Sequence, residues 1–529
     1  MEKFEEEKKE EQTDTTSAAT KTSQDEEQFM INYFMKSDHE IYIKGSLAEQ
    51  QYWFSPEKYL SADTRKDSLI ILKKIIAEWV TQCLPNHKNL THKLLIFGSE
   101  SINGYLQDSD IDILCCTLPE IHLKSHFLIG LTKVLKSHPT VSFIETLEDI
   151  RIPIIKAIVH GTKFDISHCN LEDINSLSNI KELAKVKLGG IIANNQILEE
   201  VPNPRLFSKV LRLIKYWAKR KGIYSFVLGY FNGTVLSQIL FKLCCKYPDL
   251  EPLDIVQEFF EIKISEDPRI QKYTKICPIT QKIISKYFTQ GRDLMRKLQK
   301  KLKSDALFEF EREAMIRATL TTLIRPLPTV MPYENFVQIN IYTQDLQSEG
   351  SASGKALTQE HLRVVGFVKS RITLLLMLFK RMNHSLKKKG YQYYIHPDDR
   401  VHLNLQEKKY TRGKVIAKTQ RDSELKSTLL FGVYSDPECR DADKYLAAPT
   451  RKLMKCSIGN ILQDFKKQLK RILKRDFKVD KSSFANMSMS QALAHQFKFS
   501  LITHSKVSAL LNIKPQPLFP RSSFQLEKE

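Results

Sequence analysis

The segment LLIFGSESINGYLQDSDIDILCC, residues 94–116, constrains this 529-residue chain more than any other part of it. Gly98 and Ser99 follow an apolar run, and Asp110 and Asp112 flank one isoleucine at the start of a second apolar run. Alternate residues of a strand point to the same side of a sheet, so we expect the two carboxylates to lie together. A semi-buried site tolerates such repulsion chiefly when a cation lies between the acids. The segment therefore predicts a site for Mg²⁺.

An Asp-x-Asp pair alone is more often two surface acids than a metal site, and three further features strengthen the prediction. The turn at Gly98 and Ser99 should begin a helix whose N–H groups, with the serine hydroxyl, can hold phosphate oxygens. A polar loop fills the gap to Asp110, which is consistent with a substrate lying across it. Asp165, in KFDIS, lies between apolar neighbours on a later strand and could reach the same cations. The alternative for Asp165 is an ordinary acid on an edge strand.

Apolar periodicity around this segment predicts a small α+β domain at residues 29–185, after a disordered acidic tail at 1–28. The sequence RIPIIKAIVHGTKFDISH should split at His160 and Gly161 into the two strands of a hairpin. The remaining expected elements are a helix at 66–82, strands at 93–97, 113–116 and 140–147, and a helix at 120–137.

A helical middle domain is predicted at residues 186–335. Asn203 can cap a helix that has Pro204 at its first position, and Gly222 should end it. Leu206, Val210, Leu211, Ile214 and Trp217 form one apolar stripe on that helix. The sequence after Ser225 is expected to continue as helix.

The last part of the chain is expected to form an α+β domain at residues 336–510, followed by a flexible tail at 511–529. Residues 335–343 and 429–435 have the composition of strands, and residues 358–389 have the pattern of one long amphipathic helix. A GSASG loop at 350–354 separates the first strand from that helix.

Lys and Arg number 81 against 61 Asp and Glu, a net charge of +20. Such an excess attracts polyanions, which favours RNA or DNA as a partner, although a solvated lysine-rich surface is the alternative. The basic stretches 384–397 and 466–478 could bind RNA, serve as nuclear-import signals, or be solvated faces. The nine cysteines show no zinc-site spacing and suggest reduced cysteines in an intracellular protein. No signal peptide or membrane span is visible, so we expect a soluble protein with no membrane partner.

The succession Gly-Ser, Asp-x-Asp and a later strand Asp resembles the DNA polymerase β-like nucleotidyltransferases. Over a wider span the chain resembles the eukaryotic nuclear-type poly(A) polymerases, through RIPIIKAIVHGTKFDI and PRLFSKVLRLIKYWAKRKGIYSFVLGYFNG. The resemblance covers about residues 30–510 and is strongest over 94–245. It implies a multidomain α+β fold with a catalytic nucleotidyltransferase domain, a helical nucleotide-binding middle domain and an RRM-like C-terminal RNA-binding domain.

This resemblance implies a template-independent RNA 3′-adenylyltransferase that uses ATP with Mg²⁺ or Mn²⁺ and releases pyrophosphate. Asp110, Asp112 and Asp165 would be the catalytic, metal-binding residues of a two-metal phosphoryl transfer. The implied partners are an RNA 3′ end, ATP and 3′-end processing factors, and the implied location is the nucleus. The implied nucleotide-binding residues are Phe97, Gly98, Ser99, Lys156, Lys215, Tyr224, Gly233 and Thr234.

Three of these residues have plain structural alternatives. Lys215 lies beside an apolar helix stripe, where a lysine usually extends its ammonium to solvent. Tyr224 could be a core aromatic after the helix stop, and Lys156 could be a solvent-facing strand residue.

The chain departs from the family pattern near the nucleotide. Gly189 and Phe226 stand where the family usually has Asn, Thr234 where it has a second Gly, and Arg151 at the position of a stacking Phe. These departures make adenine selection less secure than catalysis. A terminal uridylyl- or mixed-nucleotide transferase therefore remains the enzymatic alternative, and a catalytically idle RNA-binding scaffold is the alternative of another class.

Overall fold

The structure is a computed structural model, and all structural statements below concern the residues that it describes. These are residues 27–35, 62–86, 92–148, 152–172, 182–264, 276, 278–303, 307–326, 335–344, 364–387, 393–396, 402–406, 410–411, 414–415, 424–435, 448–479 and 496–503. The chain divides into two compact units, which are treated separately here. The first unit comprises residues 1–217, 233–262 and 290–325, and the second comprises 218–232, 263–289 and 326–529.

A five-stranded mixed sheet forms the centre of the first unit. Its strands are β1 (His92–Phe97), β2 (Ile111–Thr117), β3 (Val141–Leu147), β4 (Ile154–Val159) and β5 (Thr162–Asn170). Their order in the sheet is β1-β2-β5-β4-β3. Strands β2 and β5 are parallel neighbours, and the other neighbouring pairs are antiparallel.

The hairpin predicted at His160 and Gly161 is confirmed. Both residues have positive φ, 46° and 80°, which a two-residue turn of type I′ requires. Strand β4 alternates buried Ile155, Ala157 and Val159 with half-buried residues. The turn and this alternation fix the register of β4 against β5, because a slip of one residue would exchange the two faces.

Helices cover both faces of this sheet. Helix α1 spans 27–35, and α2 spans Ala62–Cys83. Alpha2 packs with a π-helical segment, Leu123–Leu131, that runs into α3, Thr132–Ser137. Trp79 of α2 and Phe127 meet edge to face at 6.2 Å over Ile113 and its neighbours. The predicted helix at 120–137 is therefore present, but its first half has the wider π-helical winding.

Helix α4, Glu182–Glu200, packs on the opposite face of the sheet against β1 and β5. Its Ile191 contacts a small buried cluster that includes Leu114, Cys116 and Cys169. Because alternate strand residues share a face, Asp112 lies on the same face of β2 as Leu114 and Cys116.

The next helices begin with α5, Pro204–Arg220. The predicted cap is confirmed, because the Asn203 Oδ1 atom accepts hydrogen bonds from the Arg205 and Leu206 amides at 3.1 and 3.0 Å. The predicted stop is also confirmed, with Gly222 at φ 66°. The helices that follow are α6 (Gly233–Lys246), α7 (Pro252–Glu261), α8 (Pro278–Leu302) and α9 (Glu309–Ile324).

The expectation that helix continues directly after Ser225 is wrong. Residues 226–228 form one short 3₁₀ turn, Gly229 adopts φ 80°, and helix resumes at Gly233. A left-handed glycine ends the turn, so the chain must restart before a new helix can form.

The second unit contains another sheet, which is antiparallel and has the strand order β12-β6-β11-β7. Beta8 also pairs with β11, and β9 pairs with β10. Alpha10 (364–369), α11 (Ile372–Lys387) and α12 (Ala448–Val479) belong to the same unit. Phe465 of α12 meets Phe499 edge to face at 5.7 Å, which seats that helix on the sheet. The strands are β6 (Asn335–Gln344), β7 (Tyr393–His396), β8 (His402–Gln406), β9 (Tyr410–Thr411), β10 (Lys414–Val415), β11 (Glu424–Ser435) and β12 (Gln496–Thr503).

The strands predicted at 335–343 and 429–435 are confirmed as parts of β6 and β11. The described part of the helix predicted at 358–389 is interrupted by a turn at Ser370 and Arg371. The 350–354 loop and the 511–529 tail lie outside the described residues, as do residues 1–26 of the expected N-terminal tail. Among the described helices, none has the length and apolarity needed to cross a membrane.

Candidate active site

Strand pairing brings Asp112 and Asp165 together. They are direct partners in the parallel register of β2 and β5, at the end of β2 that the Asp110 segment enters. Phe97, the last residue of β1, is the partner of Asp112 on the other side. The two predicted carboxylates from distant parts of the sequence therefore lie side by side in one sheet.

The expectation that Asp110 is a strand residue is wrong, because β2 begins at Ile111. Strand β1 ends at Phe97, opposite Asp112, so β1 offers no partner to the residues that precede this pair. Asp110 nevertheless lies near the other two acids, since its charge raises the pKa of both Asp112 and Asp165.

Gly98 brings the backbone directly under the Asp112 carboxylate. A Cβ atom on Gly98 would lie 2.1 Å from the Asp112 Oδ2 atom, and Gly98 adopts φ 70°. Only glycine satisfies both conditions without strain. The helix expected to begin at Ser99 is absent, however. Residues 98–103 form turns in which Asn103 is also left-handed, at φ 51°.

The loop between Gly98 and Asp110, which its polar residues suggested a substrate could cross, is largely buried. Helix α4 holds its start, since the Asn194 side-chain amide donates to the Gly98 carbonyl at 2.7 Å. Helix α5 holds its middle, where Ser208 donates to the Ile102 carbonyl at 3.1 Å. Polar side chains from two helices therefore replace the water that an exposed loop would bind.

Lys215 belongs to this set of loop-binding side chains. It is only 2% exposed, and its ammonium donates to the Gly104 carbonyl at 2.5 Å. Its charge also lowers the pKa of Asp112. A lysine that reaches solvent is therefore excluded, and Lys215 lies close enough to the acids to influence their ionisation.

Lys156 forms an ion pair with Asp165. The two residues are register partners on β4 and β5, and the Lys156 Nζ atom lies 2.8 and 2.6 Å from the two carboxylate oxygens of Asp165. Lys156 is about one third exposed and thus borders solvent. Lys156 is therefore a strand residue at the border of solvent, and its side chain also covers one of the predicted metal ligands.

Burial and mutual repulsion perturb the acids. Desolvation, then the charges of Asp110 and Asp165, raise the pKa of Asp112 from 3.8 to about 7. Desolvation also raises the pKa of Asp165, and it outweighs the opposing effect of the Lys156 ion pair. Clustered carboxylates with raised pKa values are typical of functional sites.

The donor set fits a hard divalent cation. Its atoms are carboxylate oxygens, the ligands that Mg²⁺ and Mn²⁺ prefer, and their repulsion is the kind that a cation relieves. Within the described residues, no three His, Cys, Asp or Glu side chains are close enough to hold a metal as they stand. Asp165 is instead engaged by Lys156, so cation binding requires a rearrangement of that ion pair.

The other predicted residues lie in several places. Phe97 and Ser99 are half-buried beside Gly98. Gly233 and Thr234 open helix α6 in the first unit. Tyr224 lies in the second unit, where the Lys219 Nζ atom is 5.7 Å from its ring centroid.

The positions that depart from the family pattern are exposed where they are described. Gly189 lies on α4 with open space around it, and Phe226 is 38% exposed in the short turn of the second unit. Arg151 lies outside the described residues.

Two residues that hold the loop were missed by the sequence analysis. Arg65 of α2 forms a buried ion pair with Glu100 at 2.5 Å. A signal was present for Arg65, because it precedes Leu69 and Leu72 on the apolar stripe of α2 and an arginine in such a stripe needs a buried partner. No local signal identified Glu100 as that partner.

Two regions of the chain match known protein families. Residues 45–188 match the poly(A) polymerase nucleotidyltransferase domain family, and residues 206–267 match the poly(A) polymerase central domain family. The chain is 30% identical to a poly(A) polymerase of Dictyostelium discoideum over 239 residues, which are 42% of this chain and 29% of that protein. It is 27% identical to nuclear poly(A) polymerase 2 of Arabidopsis thaliana over 242 residues, 42% of this chain and 30% of that protein.

A third relative is poly(A) polymerase pla1 of Schizosaccharomyces pombe, 29% identical over 236 residues, 41% of each protein. Among solved structures, the polymerase core of TRAMP, an RNA surveillance complex, overlaps 51% of this chain and 90% of its own at 18% identity and a TM-score of 0.33. The Cid1 poly(U) polymerase overlaps 54% and 97% at 12% identity and a TM-score of 0.34.

The matched region thus spans 29% to 41% of the length of these curated relatives. Both matched domain families come from poly(A) polymerases, and the mixed α+β core with its strand-borne aspartates lies in the first of them. Over these two regions the chain is similar to poly(A) polymerases.

Proposed function

We propose that this protein is a template-independent RNA 3′-adenylyltransferase that transfers AMP from ATP and releases pyrophosphate. The observation that carries the proposal is the pairing of Asp112 with Asp165 across parallel strands, with Asp110 just before the first of them. The raised pKa of Asp112 supports a cation-binding role for the cluster. The family matches at residues 45–188 and 206–267 supply the choice of reaction.

Asp110, Asp112 and Asp165 would hold Mg²⁺ or Mn²⁺, with all three on one ion and the first two on a second. When bound, the metals would lower the pKa of the RNA 3′-hydroxyl and neutralise the triphosphate charge. Gly98, which has no Cβ atom, would allow a phosphate oxygen of the nucleotide to approach the backbone closely. Lys156, released from Asp165, would place its ammonium toward the phosphates.

The proposed nucleotide-binding residues are those that the sequence predicted, and Lys215 has an indirect role among them. Lys215 would act mainly through the Gly104 carbonyl and through its charge on Asp112, because its ammonium is buried. The remaining members are Phe97, Gly98, Ser99, Lys156, Tyr224, Gly233 and Thr234.

We also propose the domain arrangement of the sequence analysis: a tail at 1–28, a catalytic domain at 29–185, a helical middle domain at 186–335, an RNA-binding domain at 336–510 and a tail at 511–529. Helices α4 to α9 support the middle domain. The RRM-like topology is supported by the succession strand, helix, strand, strand, helix, strand, carried by β6, α11, β7, β11, α12 and β12. These four strands lie in the order β12-β6-β11-β7.

RNA is the proposed polyanionic partner of this net positive chain. Helix α12 supports it with a run of exposed basic side chains, Lys467, Lys470 and Arg471. We place the protein in the nucleus with 3′-end processing factors, since several relatives are nuclear poly(A) polymerases of Arabidopsis thaliana.

Extension of a short labelled RNA tests the function directly. The full chain is supplied with Mg²⁺ or Mn²⁺ and one nucleoside triphosphate at a time, beside Asp110→Ala and the exposed control Asp67→Ala on α2. With ATP, we expect the native chain and Asp67→Ala to produce a ladder of extended RNA products, and Asp110→Ala to produce none. A ladder with UTP alone would assign a uridylyltransferase, one with all four nucleotides a mixed-nucleotide transferase, and RNA binding without extension a scaffold.

A further inference from the structure

A buried ion pair connects helix α2 to both ends of the loop that precedes Asp110. Arg65 and Glu100 are only 4% and 3% exposed, and an Arg65 Nη atom lies 2.5 Å from a Glu100 carboxylate oxygen. Ion pairs this deeply buried contribute little net stability, because desolvation offsets their attraction. A positional role therefore explains this pair better than a stabilising one.

Arg65 makes a second hydrogen bond, and it reaches the residue next to Asp110. Its other Nη atom donates to the Ser109 carbonyl at 2.7 Å. The peptide that begins with that carbonyl ends at the Asp110 nitrogen. Fixing its orientation therefore restricts the backbone of Asp110 and the direction of its carboxylate.

Asp110 needs such a restraint more than the other two acids do. Asp112 and Asp165 lie within β2 and β5, where ladder hydrogen bonds fix their backbones. Asp110 precedes β2 and has no ladder partner on β1. Arg65, from helix α2, holds the peptide before it.

Neighbouring contacts make the restraint rigid. The Ser109 hydroxyl accepts a hydrogen bond from the Leu106 amide at 2.9 Å, and the Ser109 amide donates to the Leu106 carbonyl at 2.9 Å. The Arg65 guanidinium also lies 4.8 Å from the centroid of the Tyr105 ring. The guanidinium is thus held by a carboxylate and an aromatic ring while it donates to Ser109.

We propose that Arg65 is a positioning residue for Asp110, oriented by Glu100, and that it sets the geometry of the metal site through the Ser109 carbonyl. This inference rests on the proposed function, because it concerns a ligand of the proposed metal site. The planar guanidinium is required, since it donates to Glu100 and Ser109 at once from separate nitrogens, whereas a lysine ammonium is a single point charge.

The test compares Mn²⁺ binding, RNA extension and thermal unfolding of the full chain and its variants. Arg65→Met alone leaves Glu100 as an unpaired buried charge and could unfold the domain, so the informative variant is the double change Arg65→Met with Glu100→Met. Replacement of both partners by apolar residues of similar length is often tolerated. Lys66→Met, at the exposed neighbour of Arg65 on α2, is the matched control, and Arg65→Lys tests the guanidinium itself.

We expect the double variant to unfold at a temperature close to that of the native chain. Its Mn²⁺ affinity, followed by electron paramagnetic resonance, should fall at least tenfold and kcat at least tenfold, with KM for ATP changed less than threefold. Arg65→Lys should also lose at least fivefold in Mn²⁺ affinity, while Lys66→Met should match the native chain.

Unchanged Mn²⁺ affinity and kcat in a folded double variant would overturn the positioning role. Full recovery in Arg65→Lys would show that only charge matters and would overturn it as well. Failure of the proposed function is a separate result, because the native chain itself would then lack both Mn²⁺ binding that depends on Asp110 and RNA extension.

Discussion

Replacement of Asp112 by Asn should stabilise the metal-free sheet of the first unit, and increasingly so as the pH rises. Burial and the charges of Asp110 and Asp165 raise the pKa of Asp112 from 3.8 to about 7 in the folded chain. Ionisation of this carboxyl is therefore costly in the folded state and free in the unfolded state. Asparagine has nearly the same shape and carries no charge, so the variant avoids that cost.

Proton linkage gives the sign and the size of this change in the free energy of unfolding. A raised pKa gives stability that is fully present below the unfolded value of 3.8 and is lost as the pH rises to about 7. Each pKa unit corresponds to about 1.4 kcal/mol, so the loss amounts to at most about 4 kcal/mol. Water penetration and relaxation reduce such penalties, so we expect the advantage of the variant to grow by about 2 kcal/mol between pH 5 and pH 7 and to stay constant above pH 7.5.

Hydrogen exchange measures this quantity for the relevant strands. Exchange of the slowest amides in 111–117 and 162–170 gives the free energy of opening of β2 and β5 without requiring the whole multidomain chain to unfold in one step. The native chain and Asp112→Asn would be compared from pH 5 to pH 8.5 in the presence of a chelator, after correction for the intrinsic pH dependence of exchange.

Asp67→Asn is the matched control, because it removes an exposed carboxylate from α2. A pH dependence of Asp112→Asn that Asp67→Asn reproduces, or a difference that favours the native chain at high pH, would refute the reasoning, since burial of Asp112 would then not be its cause.

Three further changes test the site. Gly98→Ala should weaken Mn²⁺ binding at least tenfold, because its Cβ atom would lie 2.1 Å from Asp112 Oδ2 at a left-handed φ that costs about 1–2 kcal/mol; calorimetric titration checks this. Lys156→Met should tighten Mn²⁺ binding severalfold at pH 8, because the Lys156 ammonium no longer competes for Asp165; electron paramagnetic resonance measures it. Lys215→Met should raise the pKa of Asp112 further and move the midpoint of Mn²⁺ binding to higher pH, seen in titrations from pH 6 to pH 9.

Each of these has an opposing outcome. Native Mn²⁺ affinity in Gly98→Ala would show that the turn can give way. Lys163 is an exposed lysine of β5 and serves as the control. If Lys163→Met tightens Mn²⁺ binding as much as Lys156→Met does, the cause is the loss of a positive charge in general rather than of competition for Asp165. If the pH midpoint of Mn²⁺ binding is unchanged in Lys215→Met, the role of Lys215 is limited to its hydrogen bond to the Gly104 carbonyl.

Local backbone signals explain why several elements were predictable. The His160 and Gly161 turn, the Asn203 cap and the Gly222 stop each depend on a few neighbouring residues, and all three are confirmed. The expected helices and strands of the catalytic domain depend on apolar periodicity, which is equally local.

Predictions failed where a distant contact overrides local preference. Ser99 does not begin a helix, because Gly98 turns left-handed beneath Asp112 and the following residues are held by α4 and α5. The loop between Gly98 and Asp110 is rich in polar residues and is nevertheless buried, because side chains of α4 and α5 donate hydrogen bonds to its carbonyl groups. The turn at Ser370 and Arg371 within the predicted long helix contains neither Gly nor Pro, so the sequence carried no signal for it.

The sequence by itself determined which chemical groups the site contains: three aspartates, a glycine that must precede them, and an excess of positive charge suited to a polyanionic substrate. The tertiary structure decided how they meet. Parallel pairing of β2 with β5 places Asp112 opposite Asp165, the register of β4 places Lys156 on Asp165, and Arg65 reaches the peptide before Asp110 from 44 residues away. The physical reason is that periodicity and turn chemistry act over a few residues, whereas strand order and buried ion pairs depend on which distant segments pack together.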